Sequence, residues 1–262
     1  MADPTNVEST ATRIGHRLSR APLARVLCQV RWPLLSKFDL DLTADELSRA
    51  IGDAFPLRDA QQELQFTLGP SGVSQQSIGT IHRFQSADRG WTVSLGSQFL
   101  SLETTRYDGH ADFIQRLGVA MTALTHAASI PFLIRVGYRY TNRLTGSADL
   151  DRLGAFFVEG VLGGLAQGDT SQLLRTVTES VYSSEGSDYL LVRSALLEPQ
   201  MALEPTLPPA EEKSWILDLD SFREDPDGLP VEALPEVATQ LSATATGHFW
   251  SVIKDDFIER FK

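Results

Sequence analysis

The 262-residue sequence contains a single cysteine, Cys28, and no long apolar run. One cysteine excludes a disulfide within the chain and any metal centre built from several thiolates. No segment approaches the roughly 20 consecutive apolar residues of a transmembrane helix, and the N-terminus lacks the basic-then-apolar order of a secretion signal. These absences predict a cytoplasmic protein that has no membrane span.

Catalytic signatures are missing as well, since the sequence has no G-x-S-x-G elbow, Walker loop or Rossmann glycine fingerprint. The few histidines do not have metal-ligand spacing: His16, His82, His110, His126 and His248. Asp-x-Asp pairs begin at Asp39, Asp149 and Asp218, but two carboxylates are few for a divalent cation. The sequence therefore favours a non-enzymatic protein without metal or cofactor. A nucleotide- or metal-dependent enzyme is the alternative.

Positive charge is scarce, with 23 Lys and Arg against 34 Asp and Glu and a net charge of −11. Proteins that bind nucleic acid or anionic membranes need a basic surface, so the composition argues against both classes. Residues Glu198 to Glu236 contain eleven acidic residues and only two basic ones. The proline-rich part, Pro199–Lys213, predicts an extended and mobile surface connection. This acidic stretch is either a solvated surface or a site for a basic partner.

The clearest positive signal is an unbroken alternation over Phe132–Leu144, with the sequence FLIRVGYRYTNRL. Period-two alternation with β-branched and aromatic residues on one side predicts a β-strand. Its other side carries three arginines in an acidic protein: Arg135, Arg139 and Arg143. This strand lies at the middle of the chain, where it begins a second series of elements.

The order of the predicted elements indicates an internal duplication. A strand at Ala24–Trp32 and the strand at Phe132–Leu144 are each followed by a helix, a three-strand meander and a long helix. We therefore predict a two-layer α+β fold, with long helices packed on one face of an antiparallel sheet. The predicted divisions are a flexible tail (1–20), a first unit (21–130) and a second unit (131–262).

Four stretches resemble a sporadically distributed bacterial family of uncharacterised proteins. They are APLARVLCQVRWP (Ala21–Pro33), IRVGYRYTNRL (Ile134–Leu144), LDLDSF (Leu217–Phe222) and HFWSVIKDDFIERF (His248–Phe261). This resemblance implies an accessory binding or assembly protein, for instance in antiviral defence or a toxin–antitoxin system. The element order separately resembles the export chaperone SecB, which implies two SecB-like β-α-β-β-β-α units. A chaperone that binds client proteins in apolar grooves beside the sheet is the alternative function.

The candidate binding residues follow from that fold resemblance, in which the first strand of a unit lies beside its last. Asp218 and Asp220 would then lie opposite the arginines, namely Arg135, Arg139 and Arg143. Such a face predicts either a structural salt-bridge ladder or a site for phosphate or an acidic peptide. The enzyme alternative instead requires a cleft in which Arg139 and Asp218 converge unpaired.

Two further expectations concern the first unit and the last helix. By the same strand order, Glu103 is expected beside Arg25 or Arg31. Trp250 falls outside the apolar stripe predicted for the last helix, so it is a candidate contact for a protein partner or for the second subunit of a homodimer.

Overall fold

The computed structural model describes residues 18–69, 72–168, 170, 172–183, 187–204 and 206–262, and it describes side chains outside residues 63–78. Of the predicted tail, residues 1–20, all but the last three lie outside the described residues. The fold is α+β, with a large antiparallel β-sheet and several helices. No helix within these ranges has the length and apolar character needed to cross a membrane.

The strands are β1 (Leu23–Arg31), β2 (Leu57–Gly69), β3 (Gly72–Gln85), β4 (Trp91–Gly96), β5 (Phe99–Thr104), β6 (Leu133–Thr145), β7 (Thr176–Ser183), β8 (Asp188–Leu197) and β9 (Ser214–Leu229). The α-helices are α1 (Leu40–Ile51), α2 (His110–Ala127), α3 (Ser147–Leu150), α4 (Leu153–Phe156), α5 (Leu234–Val252) and α6 (Asp255–Phe261). Three short 3₁₀ turns occupy Glu159–Val161, Gly163–Ala166 and Val231–Ala233.

The chain forms two compact units that are interleaved in sequence. The N-terminal unit comprises Arg25–Tyr138 and Phe222–Gln240, and the C-terminal unit comprises the described residues up to Ala24, Arg139–Ser221 and Leu241–Lys262. Strands β6 and β9 and helix α5 each contribute residues to both units. The sequence predicts instead that residues 21–130 and 131–262 are two copies of one duplicated unit. The compact units do not test a duplication, so that division stays a prediction.

In the N-terminal unit, the strand order is β2-β3-β4-β5-β1-β6-β9. Strand β1 pairs antiparallel with β5, with Cys28 opposite Leu102. The predicted alternation of β1 is confirmed, because its apolar side is fully buried: Val26, Cys28, Val30 and Trp32. The predicted three-strand meander is β3-β4-β5, and the strand β2 before it, for which the sequence indicates only a short strand at Gln61–Leu68, pairs with β3 from residue 57 to residue 69.

The sequence predicts a helix over Thr43–Phe55 that starts with a capping box at Thr43 and Glu46, but helix α1 begins earlier. The Asp39 carboxylate accepts a hydrogen bond from the backbone N–H of Leu42 at 3.0 Å, which makes Asp39 the N-cap residue. The predicted capping box at Thr43 and Glu46 is therefore wrong, and Thr43 lies inside the helix. Helix α2 matches its predicted start at His110, and its apolar stripe is buried: Phe113, Leu117, Ala120, Met121 and Leu124.

In the C-terminal unit, the strand order is β6-β9-β8-β7. One face of these strands packs against a core rich in aromatic side chains, including Phe156, Phe157, Trp215, Trp250, Phe257 and Phe261. The rings of Phe157 and Trp215 lie 4.3 Å apart between centroids. Burial of several aromatic rings makes this core the main stabilising element of the unit.

The sequence predicts two long helices in this half, from Ala148 to about Leu165 and from Glu232 to Phe261 with a break near Gly247, and both differ in the structure. The predicted helix from Ala148 to Leu165 is α3, α4 and two 3₁₀ turns, and Gly163 adopts φ 55°, which does not continue a right-handed helix. The predicted helix Glu232–Phe261 is divided into α5 and α6. The break falls at Lys254, whose backbone N–H donates to the Phe156 carbonyl at 2.8 Å, and not near Gly247 as predicted.

Candidate functional site

The face of the C-terminal unit's sheet opposite the aromatic core carries a network of charged side chains around Asp218. The Asp218 carboxylate is fully buried. Arg139 donates to it through Nε at 2.6 Å and through Nη2 at 2.8 Å. Arg193 donates to Oδ2 through Nε at 3.1 Å and Nη2 at 2.9 Å, and the Thr141 hydroxyl donates to Oδ1 at 2.9 Å. These hydrogen bonds satisfy the buried carboxylate on both oxygens.

A second carboxylate joins the two arginines from the opposite side. Glu204 Oε2 lies 2.7 Å from Arg139 Nη2 and 3.3 Å from Arg193 Nη2, and its Oε1 accepts from the Thr206 hydroxyl at 2.7 Å. The network therefore contains two positive and two negative side chains. Burial works against the charge on Arg139, but Asp218 and Glu204 raise its pKa above the usual range, so the guanidinium stays ionised.

The prediction that Asp218 lies opposite the arginines of β6 is confirmed, and its partner on that strand is Arg139. The enzyme alternative requires a cleft in which these two side chains are unpaired. That expectation is wrong, because they are paired with each other. The other predicted site residues in this unit have different surroundings. Arg143 donates through Nη2 to the Pro208 carbonyl at 2.7 Å, and Asp220 is half-buried on β9.

Arg135 belongs to the N-terminal unit and has different neighbours. Its Nε lies 3.4 Å from Glu224 Oε1, and its guanidinium carbon lies 4.6 Å from the centre of the Phe222 ring. A cation over an aromatic face adds to the attraction of the ion pair. The three arginines of β6 are therefore held by three different sets of partners, and they do not form one uniform ladder.

Residues 198–213 form a segment, here named the strap, that lies on the charged face of the C-terminal unit. The buried Leu207 and the half-buried Met201 and Leu203 pack on a small apolar cluster of Ala195, Leu197 and Ile216. Within the strap, the Gln200 N–H donates to the Ala210 carbonyl at 2.8 Å. The prediction of a mobile surface connection at Pro199–Lys213 is therefore wrong, because apolar anchors and Glu204 fix the strap to the sheet.

We expect the Leu207→Ala substitution to lower the free energy of unfolding by about 2 kcal/mol, because it removes the most buried anchor of the strap. Urea denaturation followed by tryptophan fluorescence measures this change. Leu174→Ala is the matched control, since Leu174 is an exposed leucine of the same unit, and it should leave the stability within about 0.5 kcal/mol. Equal effects of the two substitutions would contradict the assignment of Leu207 as an anchor.

Sequence reasoning missed Arg193 and Glu204, which complete the network. Arg193 had a signal in the sequence, because it is the one charged residue between Tyr189 and Leu197, in an otherwise apolar strand. A charged residue in a buried strand needs an opposite charge. Glu204 had no comparable signal, since the strap follows neither the helical nor the strand period.

The predicted pairing in the first unit is also confirmed. Arg25 Nη1 lies 3.9 Å from Glu103 Oε2. The closer partner of Glu103 is Arg83, at 2.9 Å from Oε1, and the sequence did not suggest it. Arg25 is nearly fully buried and Glu103 is mostly buried, so this group has a structural role in the N-terminal unit.

The Asp-x-Asp pairs considered as metal ligands are engaged with protein groups. Asp39 caps α1, Asp149 Oδ1 accepts from Arg260 Nε at 2.8 Å, and Asp218 binds two arginines. Over the described ranges, no group of three or more His, Cys, Asp or Glu side chains could hold a metal ion.

Trp250 does not lie where the sequence predicted. Only 5% of this residue is exposed, and it packs within the aromatic core of the C-terminal unit. The prediction that Trp250 lies outside the buried stripe is wrong, because α5 turns Trp250 inward and leaves its neighbour Phe249 half-buried. The helical periodicity of the sequence alone could not show which of these two adjacent aromatic residues is buried.

Each unit has a surface that apolar side chains help to form. In the N-terminal unit, a groove of about 370 Å³ between α2 and the start of α5 is lined by residues that include Met121, Ile130 and Leu234. In the C-terminal unit, β7 is the last strand in the sheet order, and it exposes 45% of Val177 and 62% of Val181. Large exposed apolar residues close together are typical of binding surfaces.

Comparison with known proteins does not assign either surface, because no protein-family model matches the chain and no curated protein matches it.

Proposed function

We propose that the protein is a non-enzymatic binding protein that captures an extended segment of a partner protein along β7. The observation that carries this proposal is the character of β7, an edge strand with apolar side chains on its exposed face. An edge strand presents unpaired backbone N–H and C=O groups, to which another extended chain can add as a new strand.

The chemistry of β7 indicates which segment would fit. Val177, Glu179 and Val181 alternate on one face, next to Ala195, Arg193 and Leu191 of β8 in the antiparallel register. Arg193 is held by Asp218 and Glu204, and no ion pair involves Glu179 among the residues that the structure describes. A segment with two apolar residues flanking a lysine or arginine would match this face, because opposite charges on paired strands attract.

The two sheet edges differ in a way that favours β7. Natural edge strands avoid uncontrolled association by carrying charges on their exposed face. The described part of β2, the other edge strand of the sheet order, carries polar and charged residues such as Arg58, Asp59 and Gln61. Strand β7 has one charged residue, Glu179, between two exposed valines. This contrast supports a binding role for β7.

The broader parts of the proposal concern fold and context. A two-layer arrangement of two SecB-like units is supported by the strand order, in which the first strand of each predicted unit lies beside the last: β1 beside β5, and β6 beside β9. A cytoplasmic accessory role in antiviral defence or a toxin–antitoxin system follows only from the family resemblance. A homodimer formed through β7 would be one instance of strand addition.

A chaperone that binds client proteins is the second candidate function, and the groove between α2 and the start of α5 favours it. Apolar side chains line part of this groove, with Thr122, Thr125 and Glu232 among its polar neighbours. The two functions differ in the segment they bind. Strand addition selects an alternating apolar and basic sequence, whereas a client groove of this type accepts many apolar segments.

Fluorescence anisotropy with two labelled octapeptides tests the proposal. One peptide has Val, Lys and Val at alternate positions, and the other has Glu in place of Lys. We expect the Lys peptide to bind at least about tenfold more tightly, because its ammonium group lies opposite Glu179. The Glu179→Lys substitution should reverse this preference, because the exposed side chain at this position then attracts the Glu peptide.

Val181→Asp and Val119→Asp provide the matched pair of variants. Both valines are exposed, but Val119 lies on α2 in the N-terminal unit. We expect Val181→Asp to reduce binding of the Lys peptide at least about tenfold and Val119→Asp to leave it unchanged. An unchanged preference in Glu179→Lys, or equal effects of the two valine variants, would contradict strand addition at β7.

A further inference from the structure

The guanidinium groups of Arg139 and Arg193 each bind two carboxylates of different character. Asp218 belongs to the sheet, is fully buried and receives four hydrogen bonds from the two arginines. Glu204 belongs to the strap, and 17% of its side chain is exposed. The Nη2 atoms of both arginines converge on the same oxygen, Glu204 Oε2. Arg139 and Arg193, held in place by the Asp218 carboxylate, thus form a preorganised site for one further carboxylate, here that of Glu204.

The charge balance explains why this site needs an anion. Without Glu204, Arg139 and Arg193 would share one bound carboxylate, that of Asp218, because Glu179 lies opposite Arg193 in the β7–β8 register but forms no ion pair with it among the described residues. Arg143 lies on the same strand and binds a backbone carbonyl of the strap, that of Pro208. An unpaired charge at such a position is costly, so an acidic group beside the two arginines is stabilising.

We infer that Arg139, Arg193 and Arg143 form a binding site for an extended acidic peptide, and that the strap of the same chain occupies this site as an internal ligand. The inference differs from strand addition at β7 in the charge of the ligand, and none of its three arginines belongs to β7, although Arg193 lies opposite Glu179 in the β7–β8 register. An external peptide with the same chemistry would displace the strap from the sheet.

The contacts that the strap makes indicate that the ligand of this site is a peptide and not a free anion. The carboxylate of Glu204 is flanked by Leu203 and Leu207, which pack on the apolar cluster of Ala195, Leu197 and Ile216. The Arg143 guanidinium recognises a peptide carbonyl. A ligand therefore needs a glutamate, apolar residues on both sides of it, and an extended backbone. Inorganic phosphate would satisfy the two arginines alone.

Binding of a synthetic peptide in trans tests this inference. The probe is the strap sequence itself, residues 198–213 (EPQMALEPTLPPAEEK), with a fluorescent label. The Glu204→Gln variant of the full-length protein weakens the internal ligand and keeps its shape. We expect the peptide to bind this variant at least about tenfold more tightly than the wild type, because competition by the strap is reduced.

A second peptide with glutamine at the position of Glu204 is the matched control, and it does not depend on the folding of any new variant. It should bind at least about tenfold more weakly than the acidic peptide, since the paired guanidinium groups lose their carboxylate. Equal binding of the two peptides, or no binding of the acidic peptide to Glu204→Gln, would overturn the inference. Displacement of the peptide by inorganic phosphate at equal concentration would also overturn it, because the site would then recognise an anion alone.

Discussion

Asp218→Asn is expected to lower the free energy of unfolding by about 3–5 kcal/mol. The substitution keeps the size of the side chain but removes the charge that compensates Arg139 and Arg193. Loss of one member of a buried ionic group leaves its partners without compensation, which is among the most destabilising single changes. Chemical denaturation monitored by circular dichroism measures the loss.

The matched control for this prediction is Glu224→Gln. Glu224 also forms an ion pair with an arginine of β6, Arg135 at 3.4 Å, but 56% of its side chain is exposed. Exposed ion pairs contribute little, so the control should lose less than about 1 kcal/mol. A loss of less than 1 kcal/mol in Asp218→Asn would contradict the role of Asp218 as the buried centre of the network.

Trp250→Ala is expected to lower the free energy of unfolding by about 3–5 kcal/mol, because it removes a large side chain from the aromatic core of the C-terminal unit. Thermal and chemical denaturation measure the effect. Phe249→Ala is the control on the same helix, and it should cost less because Phe249 is half-buried. If Trp250→Ala retained wild-type stability and instead dissociated a complex, Trp250 would be an interface residue and its burial here would be contradicted.

Much of the fold could be predicted from the sequence in segments where apolar residues recur with one clear period. The alternation of Phe132–Leu144 predicted β6, and the alternation in β1 predicted its buried side, because one face of each strand packs on a core. The strand order implied by the resemblance to SecB then placed Asp218 opposite the arginines of β6, one of which, Arg139, binds it. This pairing is the most specific prediction that the structure confirms.

The remaining features depend on tertiary contacts that leave no periodic signal. The interruption of the last helix at Lys254 is linked to a hydrogen bond with Phe156, about 100 residues away in sequence. The strap has an acidic, proline-rich composition typical of an exposed linker, yet Leu207 and Glu204 attach it to the sheet. Composition reports only the average polarity of a segment. The position of the strap is determined by two individual residues, Leu207 and Glu204.

The central claim of the account is that β7, the last strand in the sheet order, binds an extended partner segment along its edge. Amide hydrogen exchange of the full-length protein, with and without the Val-Lys-Val octapeptide, tests this claim most directly. Strand addition predicts slower exchange confined to β7, because its outward N–H groups gain hydrogen-bond acceptors. Protection along the groove between α2 and the start of α5, with no change in β7, would contradict strand addition and favour the chaperone-like function.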